Sequence, residues 1–131
     1  MKKKLISRSA LELLKEYPDR YFPQRSDVLN DLKNLVVEDC LNLGVRVNVY
    51  SVHGWFFIAA DEDWIGSDWE YKFETFVSFP EGGVNSIRHE VFLAAYCSNV
   101  VFKNERGVHV ICGEEELPSL DILEKIWIGI K

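Results

Sequence analysis

The hydrophobic period of this chain changes at one glycine, and that change decides which folds are open to it. Upstream of Gly44, the residues Val28, Leu29, Leu32, Leu35, Val36, Cys40 and Leu43 recur at helical spacing and line one stripe. Downstream, Val45, Val47 and Val49 alternate with Arg46, Asn48 and Tyr50, the period of a strand with one buried face. A one-sided helix and a one-sided strand each need a covering layer. The pair therefore predicts a sheet packed under helices.

The remaining elements follow from local signals. The spacing predicts a helix over 27–43, capped by Ser26, with Asp27 suiting the dipole of its first turn and Gly44 ending it. Ser9 is placed to cap a shorter helix that ends near Glu16, because Tyr17 precedes Pro18 and so avoids the helical region. Residues 18–25 read as a linker pinned by Tyr21 and Phe22. His53-Gly54 turns the strand over 45–52 into Trp55–Ala60, which is apolar on both faces and expected inside its sheet. Tyr71, Phe73, Val77 and Phe79 alternate with polar residues and predict a third strand over 70–79. Pro80-Glu81-Gly82-Gly83 is a turn, and Asn85 or Ser86 is expected to cap a helix over 87–97. A hairpin of 100–103 and 108–112 follows, and Pro118-Ser119 opens an expected last helix over 120–128. The expected architecture is one α+β domain over residues 1–131, a largely antiparallel sheet of about five strands covered by helices, in the order ααβββαββα.

Charge and cysteine usage narrow the function. The formal net charge of −6 disfavours nucleic acid and anionic membranes as partners and favours a basic protein. Cys40, Cys97 and Cys112 show no pairing pattern and read as reduced thiols of a cytoplasmic protein. Lys2, Lys3 and Lys4 are followed by too few apolar residues for a signal peptide, and no uncharged apolar run approaches the ~18 residues of a membrane span.

The chemistry-bearing patterns are sparse. His53, His89 and His109 have no second His or Cys at ligand spacing, no Ser lies in a Gly-x-Ser-x-Gly elbow, and Gly82-Gly83 lacks the Lys-Ser/Thr of a phosphate loop. No catalytic residue, metal site or cofactor is expected. One catalytic alternative stands: Glu70-Tyr71-Lys72 on a strand face, with Asp61 and Asp63 upstream, is similar to the Asp…Glu-x-Lys set of Mg²⁺-dependent nucleases.

The most distinctive stretch is Asp61-Glu62-Asp63-Trp64-Ile65-Gly66-Ser67-Asp68-Trp69-Glu70, where carboxylates surround two tryptophans. Acid steers a basic partner and an aromatic ring anchors it, so Asp61, Glu62, Asp63, Asp68, Trp69 and Glu70 form the expected partner-binding face. Glu114, Glu115 and Glu116 form a second expected patch. Trp55 and Trp64 read as packing residues. Arg88 is expected to pair with an acid of the 61–63 loop.

Two local patterns extend this reading. Gly54-Trp55-Phe56-Phe57-Ile58-Ala59-Ala60 runs into Asp61-Glu62-Asp63-Trp64, and Phe79-Pro80-Glu81-Gly82-Gly83 leads to Asn85-Ser86-Ile87-Arg88-His89-Glu90 and an apolar helix. Over about residues 45–112 they resemble small bacterial immunity proteins encoded beside polymorphic or contact-dependent growth-inhibition toxins. The resemblance implies a cytoplasmic protein that blocks a toxin domain, such as a nuclease. It carries no shared functional residues. A second binding alternative is a type III secretion-like chaperone, whose helix–three strands–helix–two strands–helix order is similar to the expected one.

Overall fold

The computed structural model describes residues 10–16 and 27–131. The expected caps Ser9 and Ser26, the stop at Tyr17-Pro18 and the linker over 18–25 lie outside them. Helix α1 (Ala10–Glu16) buries Ala10 and Leu14, one turn apart. Helix α2 (Val28–Asn42) is capped by Asp27, whose carboxylate accepts from the Asn30 N–H at 3.1 Å. Its end explains Gly44. The Gly44 N–H donates to Leu41 O and the Val45 N–H to Cys40 O, a closure that needs the positive φ of 73° that glycine adopts freely.

Strands β1 (Asn48–Val52) and β2 (Trp55–Ala60) form the expected hairpin. His53 and Gly54 both take positive φ, 49° and 85°, the two-residue turn whose twist matches that of paired strands. Helix α3 (Trp69–Glu74), a 3₁₀ turn (Pro80–Gly82) and helix α4 (Glu90–Tyr96) lead into β3 (Val100–Asn104), β4 (Gly107–Cys112) and β5 (Ile126–Ile130). The five strands make one antiparallel sheet in the order β1-β2-β5-β3-β4. The fold is α+β, as expected, and the element order follows the expected one roughly.

The sheet has two unequal faces. On the helix side, Ile58, Ala60, Val100, Phe102, Ile126, Ile128 and Ile130 meet α1, α2, α3 and α4. Helix α4 lies at the centre of this layer, packed by the other three helices, and Glu90 to Ala94 are all buried. On the far side, Trp55, Phe57, Ala59, Val101 and Trp127 are covered by Leu117, Leu120 and Ile122. Those residues belong to segment 113–125, which contains no helix or strand. Phe57 seats its ring on Gly129; a Cβ there would lie 2.5 Å from a ring carbon.

Three expected elements differ. Residues 70–79 are not a strand: 69–74 is α3, and only Ser78 forms a β-bridge, to Ile87. Trp69 and Phe73, one helical turn apart, both pack on Phe102, and Asp68 pairs with Lys72 at 3.1 Å across the same interval. Those i,i+4 contacts outweigh the alternation. The last expected helix is instead segment 113–125 followed by β5, whose five residues are all buried between β2 and β3. Helix α4 begins at Glu90 rather than 87, capped neither by Asn85 nor by Ser86. Asn85 sits at φ 64°, Ile87 is held by its bridge, and the Arg88 N–H donates to Val77 O.

Candidate partner-binding site

Strand register locates both acidic patches. Ala60 is opposite Ile126 and Lys103 opposite Trp127, so the loop after β2 and the β3–β4 turn share one end of the sheet. Cys112 is opposite Val100, and Val100 opposite Ile130, which puts Glu114, Glu115 and Glu116 at the other end. The ends are four strand residues apart, on the order of 13 Å. The structure therefore brings Asp61, Glu62, Asp63, Asp68, Trp69 and Glu70 together and leaves the second patch apart from them.

The first patch runs across the sheet end. On the β1–β2 side, Asp61 and Glu62 are exposed and line a shallow pocket with Arg46, Asn48 and Glu124. Asp63 is committed to its own turn, its Oδ1 accepting from the N–H groups of Ile65 at 3.1 Å and Gly66 at 2.9 Å. On the β3–β4 side, half-buried Trp69 packs against His109 with ring centroids 4.5 Å apart and the rings tilted by 32°. Lys72 donates to the Ile65 carbonyl and pairs with Asp68, fixing the loop to α3. Asp61, Glu62 and Glu70 are exposed, and no ion pair among the described residues neutralises them. At the other end, Glu115 pairs with Lys131, and its N–H donates to Asn99 Oδ1 at 3.1 Å.

Chain folding adds residues that local patterns did not single out. Glu124 accepts from Asn48 Nδ2 at 2.5 Å and from the Tyr50 hydroxyl at 2.9 Å, extending the acidic end beside Asp61 and Glu62. The partners lie 76 and 74 positions apart, so no sequence window contains them. The Asn48 amide holds the Glu124 carboxyl below its ordinary range, and Lys72 does the same for Asp68. Glu124 pushes the Tyr50 phenol above its ordinary value.

The signs of these shifts define a pH window. A lowered carboxylate adds stability that is present above its unfolded pKa and lost as pH falls through its folded one. The raised phenol adds stability that is present below its ordinary value and lost as pH rises through the folded one. Asp68 is exposed and Glu124 and Tyr50 are only half-buried at the surface, so solvent screening keeps the effects small. Between about pH 5 and pH 3, where ordinary carboxyls titrate, the urea midpoint should fall, and Glu124→Gln should flatten that fall. An identical acid limb in the variant would show that the Glu124 clasp contributes nothing.

Beneath the loop lies a buried polar clasp. Arg88 and Glu90 are 6% and 0% exposed and form a two-point ion pair at 2.7 and 3.0 Å, while Arg88 Nη2 also donates to the Trp64 carbonyl at 3.1 Å. Burial works against the Arg88 charge, but Glu90 outweighs it and the guanidinium stays above its ordinary value. The expected pairing of Arg88 with the 61–63 acids is therefore corrected. Arg88 reaches that corner through a backbone carbonyl, and its carboxylate partner is its neighbour on α4. Buried Asp39 of α2 accepts from the His89 N–H at 3.0 Å and lies 2.9 Å from His89 Nδ1, tying α2 to the start of α4. Trp64 is 5% exposed and belongs to the core.

The thiols are structural. Cys40 and Cys97 are buried, and burial pushes both up to about 12, so they stay protonated and unreactive. Among the described residues, no three His, Cys, Asp or Glu side chains group so as to hold a metal ion, and no helix is long and apolar enough to cross a membrane. Comparison with protein-family models, curated proteins and solved structures found no match.

Proposed function

We propose that this chain is a cytoplasmic binding protein that captures a basic partner, most concretely an immunity protein that blocks a toxin domain, such as a nuclease, encoded beside it. The observation that carries this reading is the sheet end itself. Among the described residues, Asp61, Glu62 and Glu70 stand exposed without ion pairs along the sheet end that also holds half-buried Trp69. An enzyme acting on nucleic acid needs a cationic cleft, and an acidic surface speeds encounter with that cleft and competes with phosphate for it. The ring of Trp69 supplies apolar area inside the acidic field.

The other two readings lose the arrangement on which they rested. Glu70 and Lys72 do not share a strand face, since they lie two positions apart on a helix and point to different sides. Lys72 is also committed to Ile65 and Asp68. The secretion-chaperone order needs three strands between its first two helices, and only β1 and β2 lie between α2 and α3.

The first test is co-expression with the C-terminal domain of the protein encoded by the adjoining gene. A stable complex that suppresses the toxicity of that domain is expected. Failure of the two chains to co-purify, with toxicity undiminished, would refute the proposal.

A further inference from the structure

We infer that the free edge of β4 receives an extended, basic segment of the partner, which adds to the sheet as a further strand. The inference rests on the capture reading above and gives it a docking mode. Among the described residues, β4 pairs with β3 alone and ends the sheet, so its outer row of N–H and C=O groups is open. Edge strands are ordinarily blunted by lysine, proline or inward-pointing charge. The β4 sequence GVHVIC contains none of these.

The side chains along this edge also lack cover. Val108 and Val110 are 52% and 66% exposed. Val110 is opposite Val101, so both valines extend the far face of the sheet, where segment 113–125 covers Val101 and leaves them bare. On the helix face, His109 of this strand and half-buried Trp69 pack ring against ring. A strand laid along β4 would therefore meet two valines on one side and an aromatic pair on the other. The register shifts between Val100 and Val101, so 107–110 is the regular stretch open to pairing.

Charge selects the occupant. Asp68 and Glu70 flank Trp69 in sequence at this edge, and Glu114, Glu115 and Glu116 follow the end of β4 after Gly113. The β4 edge thus runs between the two acidic patches that the sheet holds apart. A segment in which Lys or Arg alternates with apolar residues would pair with the backbone, cover the valines and reach acids at both ends. A second copy of a chain with net charge −6 would bring like charge to like.

The test is amide hydrogen exchange on the chain alone and mixed with the C-terminal domain of the adjoining gene's protein, with Val108→Lys, Val110→Lys and Val110→Glu as variants. Both valines are exposed, so unchanged thermal melts are expected. In the complex, exchange over 107–110 should slow by about tenfold or more, as for newly paired strand amides. Each lysine variant should bind roughly tenfold more weakly, and Val110→Glu more tightly than Val110→Lys. A complex that forms with β4 exchange unchanged and the lysine variants bound like the parent overturns the docking mode and leaves the capture reading standing. No complex with the parent chain overturns both. Protection of β4 that grows with the concentration of this chain alone assigns the edge to a second copy and overturns the inference.

Discussion

Arg88→Ala should destabilise the fold by about 3–5 kcal/mol, because it strands a charge where water cannot reach it. The Glu90 side chain is fully buried, and Arg88 supplies both of its hydrogen bonds. The same substitution deprives the Trp64 carbonyl of its donor and so loosens the corner from which the acidic loop departs. A domain of ordinary stability, roughly 5–15 kcal/mol in total, would lose a large share of it. Urea unfolding monitored by tryptophan fluorescence measures the loss. Arg88→Met combined with Glu90→Leu should recover most of it, since two apolar residues leave no charge uncompensated. A single-variant midpoint within 0.5 kcal/mol of the parent, on the order of a neutral surface change, would contradict the clasp.

Trp127→Ala should cost a similar ~3–5 kcal/mol, the usual range for deleting a large buried aromatic. Among the described residues, the far-side core has just Trp55, Phe57, Ala59, Val101 and Trp127 as buried members, and Trp127 meets Phe57 edge-on with centroids 5.2 Å apart. Segment 113–125 has no backbone ladder to hold it and depends on this apolar surface. The unfolding midpoint should therefore drop, and proteolysis between Gly113 and Lys125 should speed up. Val110→Ala, at a bare position of the same face, is the control and should shift stability by less than about 0.5 kcal/mol.

The sequence made part of this architecture legible for clear physical reasons. The stripe of α2, its glycine stop and the His53-Gly54 hairpin are set by contacts within a few residues, and they appear as expected. Trp55–Ala60 is apolar on both faces because it lies between β1 and β5. Residues 69–74 misled because Tyr71 and Phe73 fit a strand alternation, while Trp69 and Phe73 fit a helical turn with equal ease. Their shared contact with Phe102, far along the chain, decides between the two. Ile126-Trp127-Ile128-Gly129-Ile130 carries the same two-faced apolar signal as β2, strengthened by β-branched residues, and the preceding Pro118-Ser119 helix start masked it. At the candidate site, the clustered acids and Trp69 were visible locally. Glu124, Asn48 and Tyr50 join them only through the pairing of β1 with β2 and β2 with β5.

The central claim is that the acidic sheet end steers and holds a basic partner. The most direct measurement is stopped-flow association with the toxin domain of the adjoining gene, at low and physiological salt. It compares the parent chain with the triple variant Asp61→Asn, Glu62→Gln and Glu70→Gln, and with Trp69→Ala. The parent rate should fall steeply with salt, since exposed charges are screened beyond roughly 8 Å at physiological ionic strength. The triple variant should associate slowly at low salt and approach the parent as salt rises, with little change in dissociation. Trp69→Ala, shown by its thermal melt to be folded, should dissociate faster by a factor corresponding to ~2 kcal/mol or more. Equal association rates and equal salt slopes for parent and triple variant, with residence time unaltered by Trp69→Ala, would place the interface elsewhere and contradict the account.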